Sequence, residues 1–197
     1  MAPTPTLIFL MFLLVDYYLE KLGNYEIKIV KYFNNLGKGR IDFLTKSISS
    51  IRLLFLFWFL LTGYVFLFYP EIREVFFFRI ITVAVLHFLI SEGFFKYLLP
   101  VFARIRKRPY IEYPDIIKPI GREFSDSSIP SSHITSTVAM LIVFISFFPI
   151  LVWPSILFIL SMAFARLHNG MHYPSDMIVG VILGTLYALI AVNIFIR

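Results

Sequence analysis

Three of the four histidines in this chain lie close to arginine, serine or aspartate residues in its second half. The densest group is the segment 166–176, in which Arg166 precedes His172 by six residues and Asp176 follows it by four. Histidine can act as a nucleophile or exchange protons near neutral pH, and a nearby carboxylate can fix its tautomer. Arginine binds phosphate oxygens through paired hydrogen bonds. These residue types therefore predict chemistry on a phosphate group.

A second group lies at residues 130–133, where a proline and two serines precede a histidine and a long apolar run. Proline and serine are typical of the first turn of a helix, where unpaired N–H groups and the helix dipole favour an anion. We therefore expect Ser131 and Ser132 to help bind phosphate, with His133 at the edge of the same site. A third group is the basic run at residues 104–109.

The composition indicates that lipid surrounds the elements that carry these groups. The chain of 197 residues is 59% hydrophobic and only 15% charged, whereas soluble domains are about 45–50% apolar and about 25% charged. It contains no cysteine, which excludes disulfides, thiolate metal sites and a cysteine nucleophile. Five apolar runs have the length and composition of membrane helices. They cover about 53–69, 75–95, 131–148, 150–167 and 177–196.

The fold class that follows is an all-α integral membrane protein, a bundle of about five to six transmembrane helices at ~20 residues each. Residues 7–15 are apolar, but Asp16 and Glu20 follow closely, so the sequence does not decide whether residues 7–19 form a sixth span. Residues 20–46 alternate basic and apolar side chains, a pattern typical of a helix in the lipid headgroup layer. We therefore predict short apolar and interfacial amphipathic helices in 1–52 and a transmembrane catalytic bundle in 53–197, within a single domain.

Following the chain through these spans brings the polar groups to one face of the membrane. The exit of the second span, the entry of the third, the exit of the fourth and the entry of the fifth all lie on that face. We expect His133, Arg166, His172 and Asp176 to meet there. His87 falls in the middle of a span and is expected to be structural.

The order and spacing of these groups resemble the type 2 phosphatidic acid phosphatases, also called the PAP2 or lipid phosphate phosphatase superfamily. The signature of that family is Lys-x6-Arg-Pro, then Pro-Ser-Gly-His, then Ser-Arg-x5-His-x3-Asp. The resemblance covers about residues 95–184. The matching stretches are Arg108-Pro109, Pro130-Ser131-x-His133 and Arg166-x5-His172-x3-Asp176.

Three positions depart from the family pattern. Val101 stands where the family has lysine, Ser132 replaces the glycine, and Ala165 replaces the serine before the conserved arginine of the signature. Arg104 is three residues, or one helical turn, after Val101. We expect its guanidinium to supply the missing phosphate-binding charge.

The resemblance implies a mechanism without metal or cofactor. His172 would be the nucleophile and form a phosphohistidine, and Asp176 would accept the N–H of its other ring nitrogen. His133 would protonate the departing alcohol and then activate water. The expected phosphate ligands are Arg108, Arg166, Ser131, Ser132 and Arg104. We expect no metal, because arginines around the site repel a cation.

The expected partners are the bilayer and an anionic phospholipid or lipid A substrate, with no nucleic acid, and the oligomeric state stays open. Lipid A 1-phosphate is favoured because the predicted site face is dense in basic residues. Phosphatidylglycerol phosphate, undecaprenyl pyrophosphate and phosphatidic acid are the alternatives, as are lipid phosphotransfer and a degenerate, non-enzymatic site. The connection at residues 118–126 is either a lid that selects the headgroup or an ordinary connector.

The orientation of the site face is predicted differently by charge and by resemblance. Most Lys and Arg residues flank this face, which the positive-inside rule assigns to the cytoplasm. The resemblance implies a bacterial inner membrane with the active site in the periplasm. Basic residues retained for phosphate binding need not follow a topogenic rule, so we favour the periplasmic orientation.

Overall fold

The computed structural model describes residues 22–102 and 106–195, and these residues form helices and loops without a strand. The amino-terminal helices are α1 at 22–35, α2 at Asp42–Ile48, α3 at Ile51–Phe68 and α4 at Arg73–Leu86. A π-helical segment, His87–Leu98, and helix α5, Leu99–Phe102, continue α4 without a break. The remaining helices are α6 at Pro109–Glu112, α7 at Ser132–Phe147, α8 at Val152–His168 and α9 at Pro174–Ile194, with a 3₁₀ turn at Pro149–Leu151 before α8.

Within the described residues, four helical stretches are long and apolar enough to cross a membrane. They are Ile51–Phe68, Arg73–Phe102, Pro149–His168 and Pro174–Ile194. Helix α7 is a fifth apolar helix of 16 residues. Large apolar side chains on α3, such as Phe55, Phe59 and Leu67, are exposed and suited to lipid. The prediction of an all-α membrane protein is confirmed, whereas the proposed short span at 7–19 lies outside the described residues.

The second span is longer than predicted because charged residues do not end it. The sequence indicated a helix over about 75–95, but the helical stretch reaches Phe102 and has 30 residues. Lys96 lies one turn after Glu92, and their charged atoms are 3.4 Å apart. Because each charge has a partner, the helix can continue through both positions.

Helices α7 and α9 form the closest packing in the bundle. A Cβ atom at Gly184 would lie 2.5 Å from the backbone oxygen of Thr135, and one at Gly180 would lie 3.1 Å from that of Ser131. Small residues at these positions let the two backbones approach. The backbone N–H of Ser131 also donates to the carbonyl of Asp176 at 3.1 Å, so the first turns of α7 and α9 are adjacent.

Helix α1 packs over the same end of the bundle. The Asn34 amide donates to the carbonyls of Lys118 and His168 at 2.9 and 2.7 Å, and its oxygen accepts from the N–H of Lys118 at 3.0 Å. The ring of His168 is fully buried and contacts the carbonyl of Phe33 at 2.9 Å and Asp42 at 3.1 Å. These contacts join α1, α2, α8 and the connection between α6 and α7 around one cluster of buried polar side chains.

Candidate active site

His172 lies at the centre of the buried polar side chains, in the turn between α8 and α9. Its Nε2 atom is 3.2 Å from Nη1 of Arg108 and 3.0 Å from Nη2 of Arg166. Its Nδ1 atom is 2.8 Å from the carbonyl oxygen of Ser128. Arginine can only donate and a carbonyl can only accept, so the ring carries its proton on Nδ1. The lone pair of Nε2 therefore faces two guanidinium groups.

The surroundings of His172 favour the neutral ring. Burial is the main cause that lowers its pKa well below the usual 6.5, and the charges of Arg166 and Arg108 lower it further. A neutral imidazole keeps the lone pair that a nucleophile needs. The site thus combines an available nitrogen lone pair with cations that would stabilise an anion beside it.

Several donors at this end of the bundle lack a partner. Arg166 is buried, and its Nε–H has no hydrogen-bond acceptor among the described residues. The buried hydroxyls of Ser131 and Ser132, at the first turn of α7, likewise have no partner within that part of the chain. Unmet buried donors are costly, and an anion with several oxygens would satisfy them. This set fits a bound phosphate.

Asp176 is held by groups other than His172. One carboxylate oxygen accepts from Nη1 of Arg106 at 2.7 Å, and the other accepts from the backbone N–H of Tyr173 at 2.8 Å. The distance from this second oxygen to Nδ1 of His172 is 3.6 Å. The prediction that Asp176 accepts the ring N–H directly is therefore wrong, because the carbonyl of Ser128 occupies that position. Asp176 lies close enough to stabilise positive charge on the ring.

Arg106 connects Asp176 to helix α1. Its Nη2 atom donates to Glu26 at 2.5 Å, and its guanidinium lies 4.0 Å from the centre of the Tyr173 ring. The other oxygen of Glu26 accepts from the backbone N–H of Ser175 at 2.6 Å. Burial opposes the charged form, but Asp176 and Glu26 outweigh it and raise the pKa of Arg106. The buried carboxylate of Glu26 therefore stabilises the first turn of α9.

His133 projects from the first turn of α7 and is buried. Its Nε2 atom is 3.0 Å from the carbonyl oxygen of Ser49, which can only accept. The Nε2 proton is thus held by the corner between α2 and α3, and Nδ1 is the ring atom available for proton exchange. Asn169 fastens the same corner, since its amide donates to the Ser49 hydroxyl at 2.6 Å.

Arg108 has a second set of contacts on the far edge of its guanidinium. Its Nε and Nη2 atoms donate to one oxygen of Asp126 at 3.1 and 2.6 Å. The other oxygen of Asp126 is 3.1 Å from Nζ of Lys96. Burial raises the pKa of Asp126, but Arg108 and Lys96 outweigh it and lower that pKa. A carboxylate thus bridges two cations beside His172.

The structure brings most of the predicted residues together and reveals others. Arg108, Arg166, His133, His172 and Asp176 all lie at this end of the bundle, with Ser131 and Ser132 at the start of α7. Arg104 lies outside the described residues. Arg106 belongs to the basic run at residues 104–109, but its pairing with Asp176 was not predicted. Lys96, Asp126, Glu26 and Ser128 carry no motif that would assign them a role.

The lysine expected seven residues before Arg108 has a counterpart elsewhere in space. Val101, at the motif position, has 72% of its surface exposed. Lys96 is only 8% exposed in its side chain and contacts the same carboxylate as Arg108. Because the helix continues past Lys96 to Phe102, a basic residue five positions earlier than the motif reaches this end of the bundle.

The match to known proteins covers the bundle and the site. Residues 75–197 match the family profile described as the PAP2 superfamily. The crystal structure of Aquifex aeolicus LpxE shares the fold with a TM-score of 0.63 at 19% identity, over 86% of this chain and 95% of that chain. No curated protein matches the chain significantly in sequence.

A second solved structure is similar to the same extent. It is described as the first transmembrane PAP2 type phosphatidylglycerolphosphate phosphatase from Bacillus subtilis. Its TM-score is 0.66 at 16% identity, over 96% of this chain and 94% of that chain. At such low identities the two structures establish the fold of this chain.

Proposed function

This chain belongs to the PAP2 superfamily, and from that premise we propose that it is a membrane lipid phosphatase in which His172 is the nucleophile. The resemblance read from the sequence motifs is confirmed at the level of the family. The observation that carries the proposal is the lone pair of His172 Nε2, which faces Arg108 and Arg166 at 3.2 and 3.0 Å. Both cations would contact the phosphoryl group that this atom attacks.

In the first step, Nε2 of His172 forms a bond to phosphorus as the bond from phosphorus to the lipid oxygen breaks. Protonated His133 gives its Nδ1 proton to the departing alcohol. The proton on Nδ1 of His172 stays there and keeps its hydrogen bond to the carbonyl oxygen of Ser128, and Asp176, 3.6 Å away, stabilises the charge that the ring acquires. The products of this step are a lipid alcohol and a phosphohistidine.

In the second step, His133 takes a proton from water through Nδ1 while the water oxygen attacks phosphorus. The bond from phosphorus to His172 breaks, and inorganic phosphate leaves. Arg108 and Arg166 bind the phosphoryl oxygens in both steps, and the free donors of Arg166, Ser131 and Ser132 complete the set. Arg104 remains a proposed further ligand.

The chemistry is proposed to be independent of metal ions. Arg108, Arg166 and Lys96 all carry positive charge close enough to His172 to lower its pKa. Their mutual arrangement suits an anion and repels a divalent cation. The cations that would stabilise the transition state are thus supplied by the chain itself.

The proposed substrate is a bacterial envelope lipid, with lipid A 1-phosphate favoured over phosphatidylglycerol phosphate and undecaprenyl pyrophosphate. The support is the number of exposed basic side chains on the segments that pack around the site. These are Lys28, Lys31, Lys38, Lys46, Lys107, Lys118 and Arg122. A large, multiply anionic headgroup would engage more of them than a small one.

Helix α1 is proposed to lie in the headgroup layer. Its buried residues include Glu26, Val30 and Asn34, which face the site end of the bundle. Its exposed apolar side chains recur every three or four residues on another face, at Leu22, Tyr25, Ile29, Tyr32 and Leu36. Exposed lysines accompany this stripe, as in helices that bind membrane surfaces. The proposed location of the chain is a bacterial inner membrane, with the active site on the periplasmic side.

The test is phosphate release by the purified chain in detergent with EDTA, from lipid A, phosphatidylglycerol phosphate, undecaprenyl pyrophosphate and phosphatidic acid in separate reactions. We expect release by wild type and none by His172→Ala, with Glu71→Ala, an exposed position in the turn between α3 and α4, as the matched control. An acid-labile phosphate on the wild-type protein after an alkaline quench would identify the phosphohistidine.

Each other outcome contradicts a defined part of the proposal. Full turnover by His172→Ala would eliminate its role as nucleophile. Activity lost in EDTA and restored by a divalent ion would refute metal independence. Mass analysis that finds phosphate on a second lipid, without free phosphate, would assign the chain to phosphotransfer.

A further inference from the structure

Asp126 pairs with two cations beside the proposed reaction site. One of its oxygens lies 2.6 Å from Nη2 of Arg108 and the other 3.1 Å from Nζ of Lys96. Arg108 is 2% exposed and the Lys96 side chain 8%, so both charges are largely removed from water. Asp126 itself is 31% exposed and belongs to the irregular connection between α6 and α7. Asp126 is therefore the solvent-accessible member of an otherwise buried cluster of charges.

The edge of Arg108 that holds Asp126 is also an edge suited to phosphate. Its Nε and Nη2 atoms point in parallel and form the fork that binds two oxygens of a phosphate. Both atoms donate to Asp126, at 3.1 and 2.6 Å. The remaining nitrogen, Nη1, is 3.2 Å from Nε2 of His172. A phosphoryl group within reach of Nε2 and bound by this fork would take the place of the Asp126 carboxylate.

We propose that Asp126 is an internal competitor of phosphate, occupying Arg108 and Lys96 in the empty site and giving way when a phosphate binds. This inference rests on the proposed function of the site and adds Lys96 to its phosphate ligands. A buried arginine without a counter-charge is strongly unfavourable, so the empty site needs an anion. A phosphate carries more charge than a carboxylate and three acceptor oxygens, so it can displace one.

Competition by Asp126 fixes the direction in which its removal changes the affinity for phosphate. When only part of the protein population has a free site, the apparent dissociation constant is the intrinsic one divided by that fraction. Removing the Asp126 charge therefore tightens phosphate binding. Because hydrogen bonds to charged groups contribute on the order of tenfold or more, we expect Asp126→Asn to lower the dissociation constant for inorganic phosphate about tenfold.

A purely supporting role predicts the reverse. If Asp126 serves only to hold Arg108 and Lys96 in place, its loss disorders the two cations and weakens phosphate binding. The sign of the change thus separates competition from support. Glu123, exposed in the same connection, provides a matched control for the loss of one negative charge, since Glu123→Gln should leave phosphate binding nearly unchanged.

The experiment is calorimetric titration of inorganic phosphate into the full chain in detergent, for wild type, Asp126→Asn, Asp126→Ala and Glu123→Gln. Tighter binding by both Asp126 variants, and not by Glu123→Gln, supports the proposal. Binding by the Asp126 variants that is unchanged, weaker or absent overturns it, as does an equal gain in Glu123→Gln. If the amide oxygen of the Asn variant still accepts from one of the two cations, Asp126→Ala, which has no such acceptor, decides the outcome.

Binding is measured without turnover, so the failure of this inference can be told from the failure of the proposed function. Wild-type lipid phosphatase activity that depends on His172, combined with no gain in Asp126→Asn, would refute the competitor alone. A tenfold gain in phosphate binding, combined with activity that survives His172→Ala, would refute the catalytic assignment alone. Lys96→Ala should also reduce the gain when added to Asp126→Asn, because it removes one of the two cations for which phosphate and Asp126 compete.

Discussion

His172 has a hydrogen-bond acceptor at one ring nitrogen and donors at the other. The carbonyl of Ser128 accepts from Nδ1, and the guanidinium groups of Arg108 and Arg166 face Nε2. Burial first, and then the charges of Arg166 and Arg108, lower the pKa of the ring. The same cations that would bind phosphate thus keep the proposed nucleophile unprotonated until the substrate brings negative charge.

This environment predicts that His172 stays neutral in moderately acidic solution. A lowered pKa means that the ring takes up its second proton only at a pH below 6.5, the usual midpoint. Titration of histidine labelled with ¹⁵N should show the Nδ1–H tautomer persisting through pH 6.5, with the signal assigned by its absence in His172→Gln. Only four histidines contribute signals.

The matched variant for this titration is Arg166→Gln. It removes a cation 3.0 Å from Nε2, so the midpoint of His172 should move upward toward the usual value. A wild-type midpoint at or above 6.5 would contradict the assigned environment, and so would a downward shift in Arg166→Gln.

At the scale of elements, the contact between α7 and α9 positions the proposed catalytic groups. His133 lies in the first turn of α7 and Asp176 in the first turn of α9. Gly180 and Gly184 allow these helices to approach along their length. The two first turns are thus brought together by packing within the bundle.

Gly184→Ala is expected to destabilise the protein by about 1–3 kcal/mol, the usual cost of overpacking. The added Cβ would lie 2.5 Å from the Thr135 carbonyl oxygen and 3.0 Å from Cβ of Val138, so α7 and α9 must separate. The melting temperature in detergent and the rate of phosphate release should both decline. Gly63→Ala is the matched control, because a Cβ there meets nothing within 4 Å. Equal melting temperatures for the two variants would refute this role of Gly184.

At the scale of the whole molecule, charge and orientation must be considered together. Arg106 is paired with Glu26 and Asp176, and Arg108 with Asp126. The positive-inside rule counts Lys and Arg in the flanking loops and is not a rule of net charge, so these pairs do not remove the two arginines from it. The periplasmic orientation proposed for the site therefore runs against the rule and calls for a direct test.

The absence of cysteine makes the orientation directly testable. Lys118→Cys, exposed at the site end, should react with an impermeant maleimide in intact cells. Glu71→Cys, exposed in the turn between α3 and α4 at the opposite end, should react only after lysis. The reverse pattern would assign the active site to the cytoplasm.

Much of the bundle and the motif residues could be predicted from the sequence, because both depend on local patterns. Apolar runs long enough to cross a bilayer must form helices, and their order brings the motif segments to one face. His133 and His172 were identified in this way, with Arg108, Arg166 and Asp176. The extra length of the second span was missed, because the pairing of Glu92 with Lys96 depends on the helix having formed.

The partners of the motif residues were decided only by the tertiary structure. Ser128 lies 44 residues before His172, Glu26 lies 80 residues before Arg106, and Asp126, in the connection between α6 and α7, lies 30 residues after Lys96. No local period or spacing relates these positions. Buried charges and ring N–H groups take whichever partner the packing of the helices brings within hydrogen-bonding distance. The sequence alone thus determined which groups are proposed to do the chemistry, and the fold determined what holds them.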